Sequence, residues 1–88
     1  MIRKTVKVIN EQGLHARPCR MISQLAMSYQ CDIKLIKDGY EVNAKSIMGI
    51  LSMAAPKDSI ITIVADGIDE KKAVEEISHL FETKFDEE

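Results

Sequence analysis

The 88 residues carry a formal net charge of -2, with 45% hydrophobic and 30% charged side chains. This is ordinary globular material for one domain over residues 1–88, and it argues against a general nucleic-acid binder, which would be basic. No apolar run is long enough to span a bilayer, and Met1-Ile2-Arg3-Lys4-Thr5 lacks the apolar core of a signal peptide, so the expected location is the cytoplasm with no membrane insertion.

Taken in order, residues 2–9 predict a strand, with Val6 and Val8 on one face and Thr5 and Lys7 on the other. Asn10-Glu11-Gln12-Gly13 reads as a loop. A helix is expected over roughly residues 16–27. Its core stripe is Ile22, Leu25, Ala26 and Tyr29, with Arg20, Ser23, Gln24 and Met27 off the stripe. Residues 31–37 form a second strand, with Ile33 and Leu35 inward. Asp38-Gly39 predicts a type I′ turn into a short return strand over 40–44.

Ser46 is placed to cap a short helix over 47–53, which Gly49 weakens. The nearly continuous apolar run over 59–65 predicts a central, buried strand. Asp69 is the expected N-cap of a last helix over 70–84, with Ala73, Val74, Ile77, Leu80 and Phe81 as its buried stripe and His79 exposed. The tail Phe85-Asp86-Glu87-Glu88 is expected to be frayed and solvated. The order β-α-β-β-α-β-α predicts an α+β fold, an open-faced sandwich with three helices on one face of an antiparallel sheet. Strand order cannot be read from the chain.

Chemistry concentrates at Gly13-Leu14-His15-Ala16-Arg17-Pro18, where the first strand's loop meets the first helix. Gly13 permits a sharp turn, and Pro18 suits a first helical turn because it lacks a donor that would have no partner there. The free N–H groups of Ala16 and Arg17 and the positive end of the helix attract an anion, phosphate in particular. The same potential favours the neutral, nucleophilic imidazole of His15. The Arg17 guanidinium suits phosphate oxygens. A histidine that accepts a phosphoryl group is one reading, and a solvated or capping histidine is the other.

Ser46 divides similarly. An N-cap alone explains it, while a phosphoserine there would be favourably placed at a helix N-terminus. Arg20 and Arg17 make a locally basic site on an acidic protein, and Met21, Ile47, Met48 and Met53 are candidates for an adaptable apolar docking patch. Cys19 and Cys31 are too few for a disulfide framework or a zinc site, and are expected to be buried and reduced.

Gly13-Leu14-His15-Ala16-Arg17-Pro18 resembles the phosphorylation-site signature of HPr, the histidine phosphocarrier family of the bacterial sugar phosphotransferase system. Lys45-Ser46-Ile47-Met48-Gly49-Ile50-Leu51-Ser52-Met53 resembles that family's regulatory serine site, and the spacing and element order agree over nearly all of the chain. The resemblance implies a four-stranded antiparallel sheet with helices on one side. It implies a carrier rather than an enzyme, with no metal or other cofactor, in which Nδ1 of His15 takes a phosphoryl group from phospho-Enzyme I. Arg17 and the backbone of Ala16 and Arg17 steady the group, and IIA units of sugar permeases receive it. It further implies phosphorylation of Ser46 by HPr kinase/phosphorylase, read by a transcriptional regulator, in a protein expected to be monomeric.

The alternative within the same fold is a regulatory HPr paralogue in a nitrogen-related or permease-less phosphorelay. A metal chaperone of this element order would show paired cysteines near the first loop, and a hydrolase would show a second acid, base or metal-ligand set; neither is present. Three departures from the family stand out, one of them the acidic tail Phe85-Asp86-Glu87-Glu88. Cys19 replaces a common alanine, and Ala54-Ala55-Pro56 replaces a segment that usually contains glycine.

Overall fold

The computed structural model describes residues 1–87. Its elements are β1 (Ile2–Lys7), α1 (Ala16–Ala26), β2 (Asp32–Lys37), β3 (Tyr40–Asn43), α2 (Ile47–Ser52), β4 (Ile60–Asp66) and α3 (Glu70–Glu82), followed by a tight turn at Lys84–Asp86. The strands form one antiparallel sheet in the order β1-β4-β2-β3. The last strand therefore inserts between the first two, where its apolar run predicted burial. Both crossovers, through α1 and through α2, join strands separated by one other strand, so two split β-α-β units interlock. Among the described residues no helix is long and apolar enough to cross a membrane.

Alternation along the strands builds the core. Val6 pairs with Ile61, Leu35 with Ile63 and Ile33 with Ala65, and all six are buried. The helices cover that face with Ile22, Ala26, Ile50, Ala73, Val74, Ile77 and Phe81. This is the expected α+β open-faced sandwich. At the β2–β3 turn Asp38 and Gly39 both have positive φ, 50° and 81°, as a type I′ turn requires.

Three expectations are corrected. Ser23 lies off the predicted stripe yet is buried, because its hydroxyl donates to the Lys45 carbonyl at 3.0 Å and ties α1 to the start of α2. Asp69 stands at the N-cap of α3 but does not cap it with its side chain. Its carboxylate instead accepts the backbone N–H groups of Gln30 and Cys31 at 2.9 and 3.0 Å, anchoring the entry to β2. Those two bonds, Gln30's first, hold the Asp69 carboxyl below its usual range.

The tail is the third correction. It is ordered through Glu87, because Phe85 is fully buried and packs edge-on against Phe81 with ring centroids 5.0 Å apart. Helix α3 stops at Glu82, and Lys84, Phe85 and Asp86 all take positive φ between 54° and 60°. That conformation costs about 1–2 kcal/mol for each non-glycine residue. Phe85 burial offsets it, and the turn carries Glu87 across the start of α1. Glu88 lies outside the described residues.

Candidate phosphoryl-acceptor site

The loop that presents His15 is built from its own backbone and from one neighbouring segment. Gly13 takes φ +67°, and its N–H donates to the Asn10 carbonyl at 3.1 Å. Asn10 is completely buried, and its Nδ2 donates to the Gly13 carbonyl at 2.7 Å. The His15 N–H donates to the same carbonyl at 3.0 Å, and Leu14 N–H donates to the Ala55 carbonyl at 2.9 Å. A Cβ on Gly13 would stand 2.5 Å from the Ala55 oxygen and 2.8 Å from Pro56 Cα. Glycine is thus required twice, by the turn and by the close approach of the 54–56 loop.

His15 is the N-cap of α1, extended at φ −80° and ψ −171°, with no side-chain capping bond. Its side chain makes no bond to the helix and is about one-third exposed, at 32%. The Cys19 N–H donates back to the His15 carbonyl, opening the helix. Ala16 and Arg17 occupy the first two helical positions, where backbone N–H groups have no intrahelical acceptor, and Pro18 occupies the third without a donor to leave unpaired. Cys19 is buried and its thiol donates to the Leu14 carbonyl at 3.4 Å, so it faces the loop backbone. Burial pushes that thiol up to about 11.

Glu87 is the residue that sequence reasoning missed. Its Oε2 lies 2.6 Å from His15 Nε2 and 3.3 Å from the Arg17 guanidinium, and its Oε1 accepts from Asn10 Nδ2 at 2.9 Å. Arg17 also donates to the Phe85 carbonyl at 2.9 Å. Burial alone would raise the Glu87 carboxyl, but the hydrogen bonds from Asn10, His15 and Arg17 outweigh it and hold the carboxyl below its usual value. Nothing local marks Glu87, because 72 residues separate it from His15. For Asn10, the Asn-x-x-Gly spacing of a side-chain-assisted turn was the available signal.

Ser46 is the N-cap of α2, and its Oγ accepts the Gly49 N–H at 3.0 Å. Arg20 is exposed and Met21 half-buried on α1, while Ile47 and Met48 are exposed on α2, Met48 by 74%. Met53 is corrected. It is buried in the core at the end of α2 and offers no docking surface. His79 is exposed on α3, outside the His15 cluster. Among the described residues no group of three or more His, Cys, Asp or Glu side chains is placed to hold a metal ion. An imidazole, a guanidinium and a carboxylate, joined by the buried Asn10 amide beside a helix N-terminus, can orient a nucleophilic ring and receive an anion.

The family model for the "PTS HPr component phosphorylation site" matches residues 2–83. The phosphocarrier protein HPr of Treponema pallidum is 47% identical over 88 residues, covering all of both chains. The crystal structure of HPr-C-His from Thermoanaerobacter tengcongensis superposes with a TM-score of 0.96 at 40% identity, over 100% of this chain and 99% of that one. A dimer of HPr from the same organism matches with a TM-score of 0.79 at 39% identity, over 99% of this chain and all of that one.

Proposed function

Because the chain belongs to the HPr family, whose members are phosphocarrier proteins of the phosphotransferase system, we propose that His15 is its phosphoryl acceptor. The observation that carries this reading is the placement of His15, uncapped and partly exposed, at the start of α1 with Arg17 beside it. Nδ1 attacks the phosphorus of phospho-Enzyme I, and the free N–H groups of Ala16 and Arg17 and the Arg17 guanidinium steady the phosphoryl oxygens. The stabilisation is modest, as a carrier requires, since the group must leave again for a IIA unit of a sugar permease.

The docking surface is formed by Arg20, Met21, Ile47 and Met48. Arg20 meets acidic partners, and the exposed apolar side chains of α2 adapt to more than one of them. Ser46 is the site for an HPr kinase/phosphorylase, and its phosphate, sited at the N-terminus of α2, alters surface charge more than fold and is read by a transcriptional regulator. The protein works in the cytoplasm as one domain and as a monomer, with a dimer like that of the Thermoanaerobacter relative as the alternative to be weighed by sedimentation.

The test is phosphotransfer from phosphoenolpyruvate through Enzyme I, read by intact mass. One acid-labile phosphate that disappears in His15→Ala is the expected result. Undiminished labelling of folded His15→Ala overturns the assignment.

A further inference from the structure

The contact between Glu87 and His15 has a chemical direction. The Glu87 carboxylate accepts from Asn10 Nδ2 at Oε1 and from the Arg17 guanidinium at Oε2. An ionised carboxylate has only acceptors, so in the 2.6 Å contact the donor is His15 Nε2–H. We propose that Glu87 is a positioning residue for His15, holding the ring proton on Nε2 and so leaving the Nδ1 lone pair for phosphorus. The proposal rests on His15 being the acceptor.

Three features support the assignment. The carboxylate is only 18% exposed, so its bond to the ring is not diluted by solvent. Arg17 shares the same oxygen at 3.3 Å, so the guanidinium pins the carboxylate in place beside the ring. Asn10, wholly buried, clamps both the Gly13 carbonyl under His15 and the far oxygen of Glu87, which fixes ring and carboxylate to one frame. Among the described residues, Glu87 and Arg17 are the charged side chains paired around His15.

The transfer then balances without moving a proton. The Nδ1 lone pair forms the N–P bond, and the bond from phosphorus to the phosphorylated donor breaks with its electron pair leaving on the donor. The ring keeps its Nε2 proton and becomes a phosphoimidazolium, whose charge faces the Glu87 carboxylate. In the onward step the N–P electrons return to Nδ1 and a neutral imidazole leaves. An orienting carboxylate of this kind prepares a nucleophilic ring and contributes roughly 10-fold.

The experiment is nitrogen-15 and proton NMR of the His15 ring at neutral pH, with the initial rate of phosphate uptake from phospho-Enzyme I, in wild type, Glu87→Ala and Glu87→Gln. Wild type is expected to show a downfield, exchange-protected Nε2–H proton. Glu87→Ala should lose that signal and slow uptake by roughly 10-fold with its backbone amide spectrum otherwise intact. Glu87→Gln retains a neutral acceptor and should recover part of both. A wild-type ring protonated on Nδ1 when neutral, or an unchanged ring spectrum and rate in Glu87→Ala, overturns the proposal while leaving His15 as acceptor. Acid-labile phosphate on folded His15→Ala would instead overturn the acceptor reading on which it rests.

Discussion

The carbonyl of Ala55 accepts the backbone N–H of Leu14 at 2.9 Å, one residue before His15. The loop after α2 therefore holds the loop that carries His15, and Gly13 is the position where the two backbones meet. Gly13→Ala combines a strained left-handed φ with a Cβ 2.5 Å from the Ala55 oxygen. The expected cost is about 2–5 kcal/mol, the sum of the left-handed strain and the overpacking. Thermal unfolding should show the drop, and phosphate uptake should fall at temperatures where the variant is still folded, because His15 is displaced. Wild-type stability and uptake would show that the two loops separate without consequence.

Ala54 sits at φ 48° in that same loop, where the family usually carries glycine nearby. Strain of about 1–2 kcal/mol is only partly offset by alanine's smaller unfolded-state entropy, worth about 0.4–1 kcal/mol. Ala54→Gly should thus stabilise the fold by roughly 0.5–1 kcal/mol, read as a rise in denaturation midpoint. A lower midpoint would mean that the loop relaxes to negative φ in solution.

Ser46 separates into two roles by substitution. Ser46→Ala removes the acceptor for the Gly49 N–H and should cost about 1 kcal/mol, a fall of roughly 4–8 °C in Tm for a domain of this size. Ser46→Asp keeps an N-cap acceptor and should hold near-wild-type stability while weakening encounter with Enzyme I by like-charge repulsion. Equal transfer rates for Ser46→Asp and wild type at low salt would remove that electrostatic role.

The cysteines set an alkaline limit. Burial raises both thiols from 9.0 to about 11, with a hydrogen bond and the charge of Asp69 adding to the effect at Cys31. A thiol raised in the folded state contributes its full stability below the unfolded value and loses it as pH climbs through the folded one. Stability should hold near neutrality and decline between about pH 9 and 11, and the decline should be shallower in Cys19→Ala. At neutral pH both thiols should react slowly with a thiol reagent until the protein is unfolded. Rapid labelling of native protein would contradict their burial.

Asp69 sets the corresponding acid limit. The Gln30 N–H and then the Cys31 groups hold its carboxyl below the ordinary carboxylate range despite partial desolvation. A depressed carboxyl stabilises above its unfolded value and stops doing so as pH falls through the folded one. Asp69→Ala should therefore destabilise at neutral pH and flatten the loss of stability below about pH 4. An acid unfolding curve parallel to wild type would remove Asp69 from that transition.

Much of this protein is written locally. The period of two in β2, the positive-φ pair Asp38-Gly39, the stripe of α3 (apart from Leu80, which is half-buried while Ser78 is buried) and the Ser46 cap are all decided by a residue and its near neighbours, and each stands where the chain places it. So does His15 at the start of α1, since Gly13 before it and Pro18 after it leave the backbone little choice. The apolar run of β4 also implied a central strand, although not which strands would flank it.

Tertiary structure decided what depends on distant partners. Ser23 and Met53 are buried because α1 and α2 pack together, which no single-helix pattern records. Asp69 abandons its own helix for the amides of Gln30 and Cys31, 39 and 38 residues earlier. The tail reads as a charged, fraying end, yet one buried ring, Phe85, overrides that composition and fixes the chain long enough to bring Glu87 onto His15. A short polar segment has no periodicity to announce such a contact. It is specified by the shape of the groove that Phe81, Asn10 and the start of α1 create together, and that shape exists only after the chain has folded.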